Sequence, residues 1–188
     1  MDANRFDGTD ATDVGLATSL ALANELAVDP TGDAEATVRR ILSIDPPSVE
    51  APHEGDIPAF IRLARRVEKI AVDVAEGDLD RAAHAVNEML TEHSAHPHLA
   101  KQHGRWRLHH HPRDAEPLPM WTAIAADALA RLIGSDHPHQ LGQCSADDCA
   151  RLYLDRSKNR SRRFCSTTCQ NRVKAAAFRS RQRAAGDG

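Results

Sequence analysis

The chain has 188 residues, 41% of them hydrophobic but only 4% aromatic, and no apolar run approaches the roughly 18 residues that would cross a bilayer. A core must therefore be built mainly from Ala, Leu, Val and Ile, which favours close-packed helices. The net charge of −3 hides a division: residues 1–150 carry 13 Lys/Arg against 25 Asp/Glu, while residues 151–183 carry 11 Lys/Arg and one acid, Asp155.

The opening "MDANRFDGTDATDVG" lacks the basic region and apolar run of a leader peptide. The expectation is a cytoplasmic protein, where clustered cysteines hold metal more often than they form disulfides. Apolar residues at helical spacing predict a helix over 14–29, stopping at Asp29-Pro30. A second, shorter helix is expected over 33–44, capped by Asp33 and ended by Pro46-Pro47. The third signal is the clearest. Asp56 suits an N-cap, Pro58 fits the first turn, and Phe60, Ala64, Val67, Ile70, Ala71 and Val74 make one stripe before Gly77. A fourth helix over 78–93 turns Leu79, Ala82, Val86, Met89 and Leu90 inward, and the short joint at Gly77 implies an antiparallel pair.

Residues 98–110 read as two strands joined at His103-Gly104, with Trp106 and Leu108 on one face and Arg107 and His109 on the other. A last helix at about 117–133 carries Trp121, Ile124, Ala125, Ala128, Leu129 and Leu132. "GSDHPHQLGQ" then reads as a linker. The expected fold is mainly α with a short β-hairpin: a helical unit over 14–136, then a small zinc-binding module over 141–184 of treble-clef or knuckle type, strand then helix.

All four cysteines fall in one window. Cys144 and Cys149 form C-x4-C, fifteen residues follow, and Cys165 and Cys169 form C-x3-C. Two close pairs at this separation suit a structural tetrathiolate zinc site, each pair supplying half of a tetrahedron. One structural Zn2+ would replace a core that so short a segment cannot build. A zinc site that opens on oxidation and four unrelated reduced thiols are the alternatives. Between the pairs, Leu152 and Leu154 alternate against Tyr153 as a strand would. Ser166 stands as an N-cap, placing Cys169 in the first turn of a terminal helix.

The residues Cys144, Cys149, Leu154, Asp155, Ser157, Arg162, Arg163, Phe164, Cys165, Ser166, Cys169, Asn171 and Arg172 resemble the CGNR zinc finger family. That resemblance is specific over 141–175. It implies an N-terminal helical region of the ABATE type and a bacterial regulator of transcription under stress. Two departures stand out: Gln170 replaces the naming glycine, and the second cysteine pair is one residue shorter than is frequent in the family.

Eleven basic residues in 33 exceed what a zinc site needs. On a helix over 166–184, Arg172, Arg179 and Arg183 share one side and Lys174 and Arg181 lie nearly opposite. A seam of Cys169, Val173, Ala176, Ala177 and Ala184 between them is expected to lie on the knuckle. The loop adds Arg156, Lys158, Arg160, Arg162 and Arg163 among short Ser and Asn donors, a pattern that suits a phosphate backbone. DNA is the expected partner, contacted by these residues with Asn171, Arg172, Lys174, Arg179 and Arg183. The competing readings are contact with the chain's own acidic part or an acidic partner protein, an anionic membrane surface, and RNA. Only Tyr153, Phe164 and Phe178 are available for stacking on single strands.

Seven of the eleven histidines lie between His93 and His111. His109 and His111 could pair on a metal, although a solvated edge is the plainer reading. There is no H-E-x-x-H, no G-x-S-x-G and no phosphate-binding glycine loop, so no enzyme is expected. The helical unit would act as a sensor or dimerisation unit, with Phe60, Trp106 and Trp121 as candidates to border an effector pocket. When bound to DNA the protein would sit at the nucleoid.

Overall fold

The structure is a computed structural model and describes residues 11–30, 32–43, 52–92, 98–102, 104–109, 111 and 115–186. Helix α1 spans Ala11–Ala23 and widens over Asn24–Val28 into a π-turn, closed by the Asp29 N–H donating to Asn24 O at 2.9 Å. The expected regular helix to residue 29 is thus correct in extent and different in its last turn. Helix α2 spans Ala34–Leu42, with Asp33 accepting from the Glu35 N–H as its cap. The Pro46-Pro47 stop lies outside the described residues.

Helix α3 spans Ile57–Glu76 and buries the whole expected stripe, with Ile57 and Leu63 added. Asp56 holds the N-cap position, but its carboxylate turns back to accept from the His53 N–H at 3.0 Å rather than capping α3. Gly77 ends the helix, and α4 follows over Leu79–Glu92 with Ala82, Val86 and Met89 buried. Arg66 of α3 grips Glu92 through both carboxylate oxygens, as antiparallel helices joined by a short turn allow.

Strands β1 (His98–Gln102) and β2 (Arg105–His109) pair antiparallel. Gly104 sits between them at φ +79°, a conformation open to glycine without a Cβ penalty. Helix α5 spans Pro117–Ile133 and packs on α1 and α4 with Trp121, Ala125, Ala128 and Leu129 buried. Phe60 and Trp121 are sealed in the core, whereas Trp106 is 68% exposed on the hairpin, so the three aromatics border no common pocket.

Strands β3 (Leu141–Gln143) and β4 (Leu152–Leu154) form a second antiparallel pair, and α6 runs over Thr167–Gly186. The segment read as a linker is not a free tether. It forms a 3-10 turn over Pro138–Gln140 and then β3, which lies on α3. Leu141 and Leu152 belong to the same buried cluster as the helices, with Leu154 packed against it. The apolar face of this small hairpin is therefore covered by the helical unit.

Candidate metal centre

The turn between β3 and β4 carries the first two cysteines. The Cys144 N–H donates to Arg151 O at 2.9 Å, extending the ladder by one rung, and the Cys149 N–H donates to Ala146 O at 2.9 Å to close the turn. Opposite Tyr153 in the register stands Gly142. A Cβ there would lie 2.9 Å from Tyr153 Cζ and Oη, so the tyrosine ring occupies the space a side chain would need.

The loop after β4 is organised by Asp155. Its carboxylate is buried, accepting from the Ser157 N–H at 2.9 Å and the Arg162 N–H at 2.8 Å. Burial pushes this carboxyl up, but the hydrogen bonds from Ser157 and Arg162 outweigh it and hold the group below the usual carboxylate range. Arg162 then threads its guanidinium back through the loop. Nε donates to Phe164 O at 2.8 Å, Nη1 to Leu154 O at 3.3 Å, and Nη2 to Cys165 O. Its face lies 4.9 Å from the centre of the Tyr153 ring, and the Tyr153 hydroxyl donates to Arg162 O at 2.7 Å. The Ser145 N–H donates to Arg163 O at 2.9 Å, tying the end of the loop to the first knuckle.

Ser166 caps α6 as expected, its Oγ accepting from the Cys169 N–H at 3.2 Å. Cys165 precedes the helix and Cys169 lies in its first turn. Gln170 takes ordinary helical backbone, since Arg160 is the one non-glycine residue at positive φ among the described residues. No glycine is needed at that position in this chain.

The four Sγ atoms lie within 4.8 Å of one another, with Cys149–Cys165 and Cys165–Cys169 both at 3.6 Å. Four sulfurs at about 2.3 Å from one zinc stand about 3.8 Å apart, so the observed spacing fits a tetrahedral ion. All four thiols are free of disulfides. Burial pushes the Cys144 thiol up, but the Cys165 and Ala146 N–H groups aimed at it prevail and bring it down to about 7. Cys165 is pushed up to about 12, first by burial and then by its thiol neighbours, and burial also raises Cys149. Thiols this close cannot all ionise alone. A divalent cation is the group that stabilises four thiolates together. Arg172 adds a donor, its Nη2 standing 3.7 Å from Cys169 Sγ. The four cysteines can thus hold one zinc ion, which when bound would crosslink the hairpin, the loop and the helix. The small core around them consists of Ala146, Phe164 and Val173.

The sequence-predicted basic residues divide by environment. Arg156, Lys158 and Arg163 are exposed on the loop. Arg160 sits at φ 47° with its guanidinium against His137 and His139, at 2.9 Å from His139 Nε2. Arg162 is exposed, and its fork meets three loop carbonyls and a ring face, a structural role that the sequence did not show. Arg172 leans on the cysteine cluster. Asn171, Lys174, Arg179 and Arg183 are exposed along α6. The expected apolar seam reaches only to Val173, because Ala176 and Ala177 are exposed and the helix leaves the knuckle there.

One contributor was missed from sequence. Asn24, buried in the π-turn, receives the Leu152 N–H on Oδ1 at 2.8 Å and donates from Nδ2 to Leu152 O at 3.0 Å. Its amide pairs the outer edge of β4 as a neighbouring strand would. The signal was a lone Asn inside the apolar run "LATSLALANELAV".

A two-stranded knuckle followed by a helix that carries the fourth cysteine in its first turn defines a four-cysteine zinc module of the treble-clef kind. Residues 140–182 match the family model described as CGNR zinc finger, so the C-terminal part of the chain carries that finger. No curated protein matches the chain.

Proposed function

We propose that the protein is a DNA-binding regulator of transcription whose zinc finger and α6 contact the phosphate backbone. The observation that carries this reading is the course of α6. From Lys174 to Arg183 every residue is exposed, and Arg172, Lys174, Arg179, Arg181 and Arg183 stand along the helix with no acid among them. These ten residues correspond to about 15 Å of helix, slender enough for a major groove about 12 Å wide. Arg156, Lys158 and Arg163 on the neighbouring loop extend the basic surface. With about six phosphate contacts, the slope of log K against log salt is near −5.

In this reading the acidic helical unit over 14–136 is of the ABATE type and serves as a sensor of a small effector or as a dimerisation unit. The protein then works in the cytoplasm, at the nucleoid when bound, in a stress response and without enzymatic activity. Among the described residues no helix is long and apolar enough to cross a membrane, which agrees with a partner other than the bilayer interior.

The test is selection of sheared genomic DNA by the zinc-loaded chain near physiological salt, with the retained fragments sequenced and the Cys149→Ser protein as control. The expected result is a common site that the control loses. Failure to enrich any fragment over input would overturn the reading and favour an adaptor whose basic finger meets an acidic protein.

A further inference from the structure

The β1–β2 hairpin has two chemically distinct faces. Leu99, Trp106 and Leu108 are exposed on one. On the other, the register sets His98 of β1 directly opposite His109 of β2, and His111 follows just beyond the strand. The three rings converge, with centroids 5.5 Å apart for His98–His109, 5.7 Å for His98–His111 and 5.2 Å for His109–His111. His109 Nδ1 and His111 Nε2 stand 3.2 Å apart. All three residues are half-buried rather than lying on a solvated edge.

We propose that His98, His109 and His111 form a second metal site, taking a divalent first-row transition ion such as zinc, separate from the cysteine centre. Two imidazole nitrogens at about 2.0–2.1 Å from a tetrahedral zinc lie about 3.3 Å apart, and their rings about 5 Å apart. The His109–His111 pair already has that spacing. Among the described residues the four cysteines are the one group of three or more such side chains already gathered closely enough to hold an ion, so His98 must turn its ring to join the pair. The strand register sets His98 beside His109, so a rotation of its side chain is the movement that the site requires. Imidazole is a ligand that zinc, copper and nickel accept, and three such ligands leave a position open to water or to a further donor.

The hairpin also has a physical use for an ion. Two strands of five residues with one apolar face in water are marginal alone. An ion held by His98 on one strand and His109 on the other would close the open end of the ladder, opposite Gly104. Binding then appears as slower exchange of the hairpin amides as well as in stoichiometry.

The experiment is dialysis of the full chain, its cysteine site already loaded, against low-micromolar free zinc, with metal per chain measured by elemental mass spectrometry. Two zinc ions per chain are expected, falling to one when His98, His109 and His111 are together replaced by Gln. His109→Gln alone should weaken the second ion by at least about 100-fold, since loss of a mere supporting partner of a metal ligand costs 10–100-fold. His84→Gln, on α4 with its side chain 81% exposed, should retain two. Zinc should slow amide exchange across 98–109 in the parent and not in His109→Gln, with unchanged circular dichroism showing that both are folded. A parent that binds one zinc, or a triple variant that still binds two, overturns the proposal.

Discussion

Replacing Asn24 by Ala should unfasten the finger from the helical unit without touching a cysteine. The side chain makes two buried hydrogen bonds, both to the backbone of Leu152, at 2.8 and 3.0 Å. Leu152 is itself buried and already pairs with Gln143 on its other side, so its outward N–H and C=O have no water to turn to. Each backbone group left unsatisfied costs about 1–3 kcal/mol, and Ala recovers roughly 0.5 kcal/mol as the better helix former. With two such groups, the net loss should be about 1.5–5.5 kcal/mol. The measurement is urea unfolding of the zinc-loaded chain with the Leu152 amide followed by hydrogen exchange. The expected outcome is a lower midpoint at unchanged slope and faster exchange of that amide. A loss below about 0.5 kcal/mol with Leu152 still protected would show that Leu141, Leu152 and Leu154 hold the hairpin by packing alone, and the strand-like role of Asn24 would be wrong.

Gly142→Ala should destabilise the finger by about 1–3 kcal/mol, since the new methyl meets Tyr153 at 2.9 Å and the ring must leave both Gly142 and the Arg162 carbonyl. Loss of the cation–ring contact, read from the Tyr153 ring proton shifts, checks it; an unshifted ring would refute it. Asp155 predicts the sign of an acid dependence. Its folded-state value lies below the unfolded value of about 3.9, so its contribution is present above that pH and is lost as pH falls through the folded value. Asp155→Asn should flatten this part of the pH–stability curve, and an unchanged curve would mean that the loop is held without the carboxylate.

Much of the fold was legible because it rests on local rules. The α3 stripe, the Gly77 stop, the α5 bounds, the Gly104 turn and the Ser166 cap are each decided within a few residues. The cysteine spacing likewise announced its own geometry. What sequence could not show is contact at long range. Asn24 and Leu152 are 128 positions apart, and nothing in either neighbourhood marks the other. The loop contacts of Arg162 were hidden for a related reason. Composition counts it among the phosphate-seeking arginines, while only the folded loop brings three carbonyls and a tyrosine face within its reach. The reach of the α6 seam differed for another reason: small residues at helical spacing predict a buried face only where something lies opposite, and past Val173 no described residue covers Ala176 or Ala177.

These departures have a common consequence for how the finger can work. The knuckle is fastened twice, by the shared apolar cluster and by Asn24, and the loop is fastened to the knuckle by Asp155 and Arg162. Of these groups, Arg162 is the one that the sequence pattern would assign to a phosphate contact. Exposed basic residues stand on the loop at Arg156, Lys158 and Arg163 and beyond Val173 on a helix whose base is set by Cys169 and Ser166 and whose shaft is exposed. The base of that shaft packs on the knuckle, and β4 of the knuckle packs on α1 and α3. The knuckle that seats this base is itself held to the π-turn by the two Asn24–Leu152 hydrogen bonds.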